Sequence, residues 1–291
     1  MAEGRQAAHQ EGGRADQHQA ELQQLLAAVF VALLRGYPIY DAQLGPTPTI
    51  SNRLRHKQSE EKQLEIAAVL LSSCLGDVFG WRLQHDGSIV HDLAPRPEHE
   101  DAGLGTGSRQ YINWHTEDSF HPHRADYVGL FCVRNNHQVA TTIGALDSAL
   151  LSERHRRLLS APHFTFRPDP SYLMSDTPPI PRADRGEILF GDPANPFLRF
   201  DQDYIDWPID VDGISEAVDA LRRVIEDSLI HLPLRAGDFL LLDNRRAVHG
   251  RAAFVAGYSG TDRWVKRFNI TRALACSRQH RQSDSDRVIF V

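Results

Sequence analysis

Short β-rich runs separated by turn signals fill most of the chain after residue 80, and they constrain its fold more than any other feature. Each run is four to eight residues long, which is typical of strands and short for helices. Many short strands flanked by a few helical segments are typical of a double-sheet β-sandwich or a jelly roll. We therefore predict an α+β fold that is mainly β, with strands at 81–84, 127–134, 187–190, 197–200, 239–243, 251–254 and 264–271.

Apolar residues recur at helical spacing in four other segments, which predict helices at 19–34, 59–75, about 145–160 and about 214–231. A further short strand is expected at 36–39. Residues 1–18 are polar and lack an apolar period, which predicts a disordered tail. We expect residues 19–291 to form a single domain with an N-terminal helical region and a lid around 163–185, where a proline-rich loop is too long for a simple turn.

Composition excludes several classes of protein. The formal net charge of −6 provides no basic field for nucleic acid, and the absence of a long apolar run argues against a membrane span. Three widely spaced cysteines predict neither a disulfide framework nor a cysteine-based zinc site, and they fit a reducing cytoplasm. We expect a cytoplasmic protein, and the sequence indicates no oligomeric state.

A histidine and an acid separated by one residue form the first candidate metal motif, His115-Thr116-Glu117. Such triplets arise by chance, and two others begin at His9 and His99, in a polar tail and a charged loop. His115 and Glu117 differ because they lie in an extended segment, where residues two apart point to the same face. They can therefore converge on one ion.

His249 is the candidate third ligand because it follows an apolar strand and a turn. By itself it is more simply interpreted as a hydrogen-bonded loop histidine. Two histidines and a carboxylate can hold Fe(II) with open positions, and they can also hold zinc. Arg263 favours iron, since its planar guanidinium suits the carboxylate of an oxo-acid cosubstrate, although a surface salt bridge would also use an arginine.

The runs 114–127, 243–251 and 260–272 resemble the clavaminate synthase-like Fe(II)/2-oxoglutarate oxygenases. They look most like the branch that hydroxylates free arginine and lysine in antibiotic biosynthesis. The resemblance extends from about residue 30 to residue 272 and implies a double-stranded β-helix, or jelly-roll, core with flanking helices. It also implies Fe(II) held by His115, Glu117 and His249 as the catalytic centre, with 2-oxoglutarate and O₂ as cosubstrates.

The same resemblance assigns roles to residues around the metal. Arg263 matches the arginine that binds the distal carboxylate of 2-oxoglutarate, and Thr142 matches the threonine that assists it, with Thr141 as a near alternative. Arg267 matches an arginine that binds the α-carboxylate of the substrate. Gln84 matches the residue that contacts the substrate α-amino group.

Three acids are expected to recognise the substrate side chain. Asp201 and Asp203 correspond to an acid pair in the arginine hydroxylases, and Asp169 corresponds to an acid on the lid. Two carboxylates can accept several N–H groups from a guanidinium, and they can also hold an ammonium group. Without the resemblance, the pair would be interpreted as an exposed acidic turn. Asn113 departs from the family pattern, which implies an acidic or apolar residue there.

These residues predict hydroxylation of an unactivated side-chain carbon, C3 or C4, of a free basic L-amino acid, with arginine favoured over lysine. One alternative is a desaturase or a cyclising oxygenase that acts on citrulline, homoarginine, asparagine or a β-lactam precursor. Another is a jelly-roll module that senses a ligand without turnover. The expected partner is a small-molecule amino acid, with neither nucleic acid nor membrane.

Overall fold

The structure is a computed structural model that describes residues 30–50, 56–173 and 182–290. The predicted tail at 1–18, most of the predicted helix at 19–34 and the centre of the predicted lid lie outside the described residues. None of the described helices has the length and apolar character needed to span a membrane. The single domain expected at 19–291 stays a prediction.

The larger sheet has seven strands, and its strands pair in the order β1-β13-β5-β15-β2-β16, with β3 pairing to β15. All of these pairs are antiparallel except β16 with β2. The strands are β1 (Val31–Leu34), β2 (Asp77–Trp81), β3 (His91–Leu93), β5 (Tyr127–Arg134), β13 (Phe239–Asp243), β15 (Trp264–Thr271) and β16 (Val288–Ile289).

The second sheet has four antiparallel strands in the order β12-β6-β14-β4, and two small sheets accompany it. Its strands are β4 (Ile112–His115), β6 (Ala140–Ala145), β12 (Ile230–Pro233) and β14 (Ala247–Arg251). The small sheets pair β9 (Leu189–Phe190) with β10 (Phe197–Leu198), and β7 (Phe164–Phe166) with β8 (Asp184–Gly186) and β11 (Ile205–Asp206). The α-helices are Asp41–Leu44, Ser59–Ser73, Glu153–Leu159, Pro170–Leu173 and Ile214–Asp227.

The core lies between the two main sheets, as a jelly roll requires. Leu130 and Leu240 of the larger sheet share a buried cluster with Ile143 and Val248 of the second sheet. A second cluster on the outer face of the larger sheet covers it with the helix Ser59–Ser73. The burial of both faces explains why the central strands are almost continuous apolar runs.

A buried ion cluster fastens this helix to the larger sheet. Lys266 on β15 is fully buried, and its Nζ donates to Glu61 at 2.7 Å, Glu65 at 2.7 Å and Asp92 at 2.6 Å. Burial opposes the charge of Lys266, but Asp92, Glu65 and Glu61 outweigh it and raise the pKa of the amine. Removing Lys266 would leave these carboxylates without their shared cation, and breaking a buried ion pair in this way typically costs about 3–5 kcal/mol.

The sequence predictions of regular elements are confirmed most closely in the long runs. Strands 127–134, 239–243 and 264–271 have the predicted bounds, and helices occupy Ser59–Ser73 and Ile214–Asp227. The helix predicted near 145–160 is an α-helix only at Glu153–Leu159. Strands were predicted to begin at Trp81 and at Arg251. In the structure β2 ends at Trp81 and β14 ends at Arg251.

Two predictions at the N-terminal side were wrong. Residues 31–34 form a strand instead of the end of a helix, because β1 pairs along its whole length with β13. Pairing with a sheet edge here overrides a helical apolar period, as tertiary contacts often do. Residues 36–39 form no strand, since β1 has already ended at Leu34.

Candidate active site

His115 and His249 face each other across neighbouring strands of the second sheet. They are direct partners in the antiparallel pairing of β4 with β14, and their ring centroids lie 4.6 Å apart. Gly250 permits this close pairing, since a Cβ there would lie 2.5 Å from the carbonyl oxygen of Ile112. The backbone ladder therefore fixes the separation of the two imidazoles.

Glu117 lies in the turn that follows β4, and Asn244 holds that turn in place. The backbone N–H of Glu117 donates to Asn244 Oδ1 at 2.6 Å, and Asn244 Nδ2 donates to the carbonyl oxygens of Glu117 at 3.1 Å and Ala125 at 2.9 Å. The carboxylate then reaches both histidines. Glu117 Oε2 lies 3.2 Å from His249 Nε2 and 3.8 Å from His115 Nε2.

The donor atoms of these three residues suit a divalent metal ion. His115 Nδ1 lies 2.8 Å from the carbonyl oxygen of Asn113, which can only accept, so Nδ1 carries the proton and Nε2 keeps a free lone pair. Glu117 Oε2 is buried and has no hydrogen-bond partner within the described ranges. Burial opposes the charge of Glu117, but Arg267, His115 and His249 hold its pKa well below the ordinary value. The ligand atoms of the three residues lie within 4.8 Å of one another, and the charged carboxylate favours a cation between the two imidazoles.

Asp118 anchors the segment after Glu117 to two other parts of the fold. Its backbone is left-handed, with φ of 53°, and its carboxylate accepts from Trp81 Nε1 and from Tyr172 Oη, each at 2.6 Å. Burial and then Glu117 raise the pKa of Asp118 to about 7. The turn that carries Glu117 is thereby linked to the first helix of the predicted lid.

Arg263 is a buried cation with few partners. One terminal nitrogen lies 3.5 Å from Thr141 Oγ1, and its buried Nε has no partner in the part of the chain that the structure describes. Burial lowers the pKa of Arg263 to about 10, and burial together with Arg263 lowers that of Arg251 to about 9. Both remain cationic near neutrality, so this end of the cavity suits an anion with two or more oxygens.

The structure places Thr141, and not the predicted Thr142, beside Arg263. Thr141 lies against the guanidinium, whereas Thr142, the next residue on β6, points to the other face of its strand. Thr142 Oγ1 lies 2.9 Å from Tyr111 Oη and 3.3 Å from His231 Nδ1. The near alternative, Thr141, is therefore the residue placed to assist Arg263.

Arg267 joins the metal residues to Gln84. Its guanidinium donates to Glu117 Oε1, to Gln84 Oε1 at 3.0 Å and to His91 Nδ1 at 2.9 Å. His91 Nε2 contacts the carbonyl oxygen of Ser88 at 2.9 Å, which places the proton on Nε2 and leaves Nδ1 as an acceptor. Gln84 Nε2 in turn donates to Ser171 Oγ at 2.7 Å, on the helix Pro170–Leu173.

Three carboxylates lie at the other end of the cavity. Asp169 accepts the backbone N–H of Ser171 at 2.7 Å, and Asp201 accepts that of Asp203 at 3.0 Å. Burial raises the pKa of Asp201 to about 6 and also raises that of Asp169. Asp203 is more exposed and accepts from Asn113 Nδ2. Within the described residues none of the three forms an ion pair with an arginine or a lysine, so this end of the cavity suits a cationic ligand.

A cavity of about 480 Å³ connects these groups. Its lining includes all the predicted site residues except Thr142: His115, Glu117, His249, Arg263, Arg267, Gln84, Asp169, Asp201 and Asp203. A cavity of this size holds two small polar molecules at once. The candidate metal residues lie between its positive and negative ends.

Comparison with known proteins identifies the family. Residues 8–269 match the family model described as "Taurine catabolism dioxygenase TauD, TfdA family". The chain belongs to this dioxygenase family. An L-ornithine/L-arginine 3-hydroxylase of Catenulispora acidiphila is 39% identical over 289 residues, covering 89% of this chain and 82% of that protein. An enduracididine beta-hydroxylase of Streptomyces hygroscopicus is 35% identical, with coverage of 89% and 82%.

Solved structures agree with the fold. The non-heme iron oxygenase OrfP in complex with Fe and alpha-ketoglutaric acid matches with a TM-score of 0.84 and 37% identity, covering 93% of this chain and 85% of that one. The complex of OrfP with Fe, succinate and (3S)-hydroxy-L-Arg matches with a TM-score of 0.85, 36% identity and the same coverage. Clavaminate synthase 2 of Streptomyces clavuligerus is 30% identical over 82% of this chain and 73% of that protein. The resemblance and the jelly-roll fold predicted from the sequence are confirmed.

Sequence reasoning missed three residues that shape the site. Asn244 clamps the turn of Glu117, Arg251 adds a second cation beside Arg263, and His91 orients Arg267. Asn244 and Arg251 lie within the run 243–251 that carried the resemblance, so they were visible but had no assigned role. No local pattern marks His91, because its contact depends on the pairing of β3 with β15.

Proposed function

We propose that the protein hydroxylates C3 or C4 of a free basic L-amino acid, with arginine preferred over lysine, in a reaction that uses Fe(II), 2-oxoglutarate and O₂. The observation that carries this proposal is the charge pattern of one cavity: buried arginines at one end, carboxylates at the other, and a His/Glu/His cluster between them. A dicarboxylic oxo-acid and a cationic amino acid fit these ends in one orientation each. The dioxygenase family and the named hydroxylase relatives support the same reaction.

His115, Glu117 and His249 would hold the iron, which supplies activation of O₂ coupled to oxidative decarboxylation of 2-oxoglutarate. Arg263, with Thr141 and Arg251 beside it, would bind the distal carboxylate of the cosubstrate. The remaining residues position the amino acid and exclude water, which is the protein's share of such chemistry.

The amino acid would be held at both of its ends. Arg267 and Gln84 lie where its α-carboxylate and α-amino groups can bind, close to Glu117. Asp169, Asp201 and Asp203 would accept N–H groups from its side chain. Arginine is preferred because a guanidinium presents five N–H donors in a plane, whereas an ammonium presents three from one point.

The family match favours an enzyme over the non-catalytic sensor. Desaturation or cyclisation of a related amino acid differs from hydroxylation in product mass, because hydroxylation adds one oxygen and desaturation removes two hydrogens. The cytoplasmic location, the antibiotic pathway and the lid at 163–185 stay predictions.

The test is succinate formation by Fe(II)-loaded protein with 2-oxoglutarate and O₂, against the twenty amino acids plus ornithine, citrulline and homoarginine. We expect arginine to stimulate succinate release most strongly and to gain one oxygen atom. Preference for a neutral amino acid would contradict the role of the acids. Absence of stimulation by every free amino acid would contradict the proposed substrate class.

A further inference from the structure

Asn113, the residue that departs from the family pattern, contacts both a candidate metal ligand and a candidate substrate carboxylate. It lies two residues before His115 on β4, so their side chains leave the strand on the same face. Its Nδ2 donates to Asp203 Oδ1 at 2.8 Å and Oδ2 at 3.1 Å. Its carbonyl oxygen accepts from His115 Nδ1 at 2.8 Å. One residue therefore joins the two ends of the amino-acid site.

A single backbone bridge beside β4 brings this contact about. His115 forms an antiparallel bridge with Asp201, and the N–H of Thr116 donates to the carbonyl oxygen of Phe200 at 2.7 Å in the same register. Two residues before His115 and two residues after Asp201, the same antiparallel direction brings Asn113 beside Asp203. The bridge ties Asp201 to β4, and the amide of Asn113 holds Asp203, which lies in the bend that follows, against the same strand.

The neutral amide orients Asp203 without removing its charge. The nearby cation Arg167 is directed elsewhere: its Nε donates to Asp206 at 2.7 Å and its NH2 donates to the carbonyl oxygen of Asp203 at 3.1 Å. The Asn113 amide therefore fixes the plane of the Asp203 carboxylate without forming an ion pair with it. An acid at position 113 would instead repel Asp203, since like charges directly opposite on paired strands are destabilising.

We propose that Asn113 is a specificity-determining residue that fixes how deeply the side-chain cation of the substrate binds, and thereby which carbon faces the metal residues. This inference rests on the proposed function. Neighbouring side-chain carbons are separated by a bond of about 1.5 Å. A displacement of about 1 Å can cost on the order of 100-fold in rate, so a small shift of Asp203 changes the product.

The test compares wild type with Asn113→Ala and Asn113→Asp, and it uses Asn195→Ala as the matched control. Asn195 also contacts a charged side chain, accepting from Arg246 at 2.7 Å, but it is exposed, whereas Asn113 is half-buried, and it does not line the cavity. The measurements are the affinity for L-arginine by calorimetry on the anaerobic Fe(II) and 2-oxoglutarate complex, the ratio of hydroxyarginine isomers, and the ratio of succinate to hydroxylated product. Affinity for 2-oxoglutarate and the melting temperature report whether each variant is folded.

We expect Asn113→Ala to weaken arginine binding about tenfold, the loss of one charge-assisted hydrogen bond. The minor isomer and the succinate released without product should both increase several-fold. Asn113→Asp should have a larger effect in the same direction, and Asn195→Ala should match wild type. In an Asp203→Asn background, Asn113→Ala should add nothing, because the two residues act as one pair.

Folded Asn113→Ala or Asn113→Asp could instead keep the wild-type affinity for arginine, the wild-type isomer ratio and the wild-type ratio of succinate to product. That result would overturn the inference and leave the proposed function standing. An undiminished effect of Asn113→Ala in the Asp203→Asn background would overturn it as well, since the action would then not pass through Asp203. Failure of the wild type to respond to any basic amino acid would instead overturn the proposed function and, with it, this inference.

Discussion

The two ends of the cavity are built in opposite ways. At the cosubstrate end, Arg263 and Arg251 lie on or beside strands of the two main sheets and are buried. At the amino-acid end, Asp169, Asp201 and Asp203 lie between short elements, and Asp203 is exposed. The positive end is rigid and closed by the core, whereas the negative end is assembled from a short helix and a bridge to β4.

This difference indicates how the family can share a reaction while its members differ in substrate. An invariant cosubstrate needs one fixed anion site, and the sheet ladders supply it. A variable amino acid is recognised by residues outside the ladders, where a change does not disturb the core. Each end can therefore be altered separately, and the following predictions test that separation.

The largest effect is expected from His249→Ala, which removes a group that both ends depend on. Removing a residue that hydrogen-bonds to a metal ligand already lowers metal affinity or activity by about 10–100-fold. We therefore expect loss of a ligand to lower turnover by more than about 100-fold and to abolish stoichiometric iron binding. Iron content and succinate formation measure this. His155→Ala, on the surface helix Glu153–Leu159, is the control, and substantial turnover by His249→Ala would refute the ligand assignment.

Arg263→Ala should affect only the positive end. Removing hydrogen bonds to a charged group costs about 2–3 kcal/mol, so the KM for 2-oxoglutarate should rise about 30–100-fold. The affinity for arginine should change little, whereas Asp201→Asn should show the reverse pattern. Steady-state kinetics with each substrate varied in turn measures both. If one variant changed the KM for 2-oxoglutarate and the KM for arginine equally, the two ends of the cavity would not be independent.

Acidification should weaken binding of the amino acid at the negative end. Burial raises the pKa of Asp169 above its ordinary value of 3.8, against the hydrogen bonds from Ser171. As the pH falls through this raised pKa, the carboxyl becomes neutral and no longer attracts a cation. The KM for arginine should therefore rise several-fold, up to about tenfold per pH unit.

The pH dependence that Asp169 gives to folding stability has the opposite sign. A raised pKa in the folded state means that the contribution of this carboxyl to stability is greatest at low pH and is lost as the pH rises through that pKa. Weaker binding in acid is therefore not unfolding caused by Asp169. Asp169→Asn should remove the part of the pH dependence of the KM for arginine that Asp169 contributes and leave that of Asp201. An unchanged profile would exclude Asp169 from substrate recognition.

The smallest effect distinguishes two neighbouring threonines. Thr141→Ala removes the hydroxyl beside Arg263 and should raise the KM for 2-oxoglutarate about fivefold, near 1 kcal/mol. Thr142→Ala is the matched control, because its hydroxyl faces Tyr111 and His231. A larger effect from Thr142→Ala would mean that Thr142, and not Thr141, faces the cavity.

The sequence predicted the metal cluster because its parts follow simple periodicities. His115 and Glu117 are two residues apart in an extended segment, and His249 follows a strand that is apolar throughout. The choice between two neighbouring threonines has no such periodicity to guide it: Thr141 and Thr142 are chemically identical, and only the register of β6 tells which one faces the cavity. Resemblance to a family does not determine that choice.

Other features depend on pairings that no local pattern encodes. The segment 31–34 has an apolar period compatible with a helix, and β13 draws it into the sheet. His91 reaches Arg267 only because β3 joins β15, and Asn113 reaches Asp203 only through the bridge of His115 with Asp201. Long-range pairing, and not residue type, decides these contacts.

The direct pairing of His115 with His249 has a consequence for how this chain can change in length. Since side chains alternate along a strand, a slip of one residue in β4 or β14 would turn an imidazole to the outer face of the sheet. Insertions or deletions within 112–117 or 247–251 should therefore eliminate iron binding while leaving much of the β-sheet content in place. Natural variants of this enzyme that differ in length and keep iron binding should therefore not have their insertions or deletions in these two short windows.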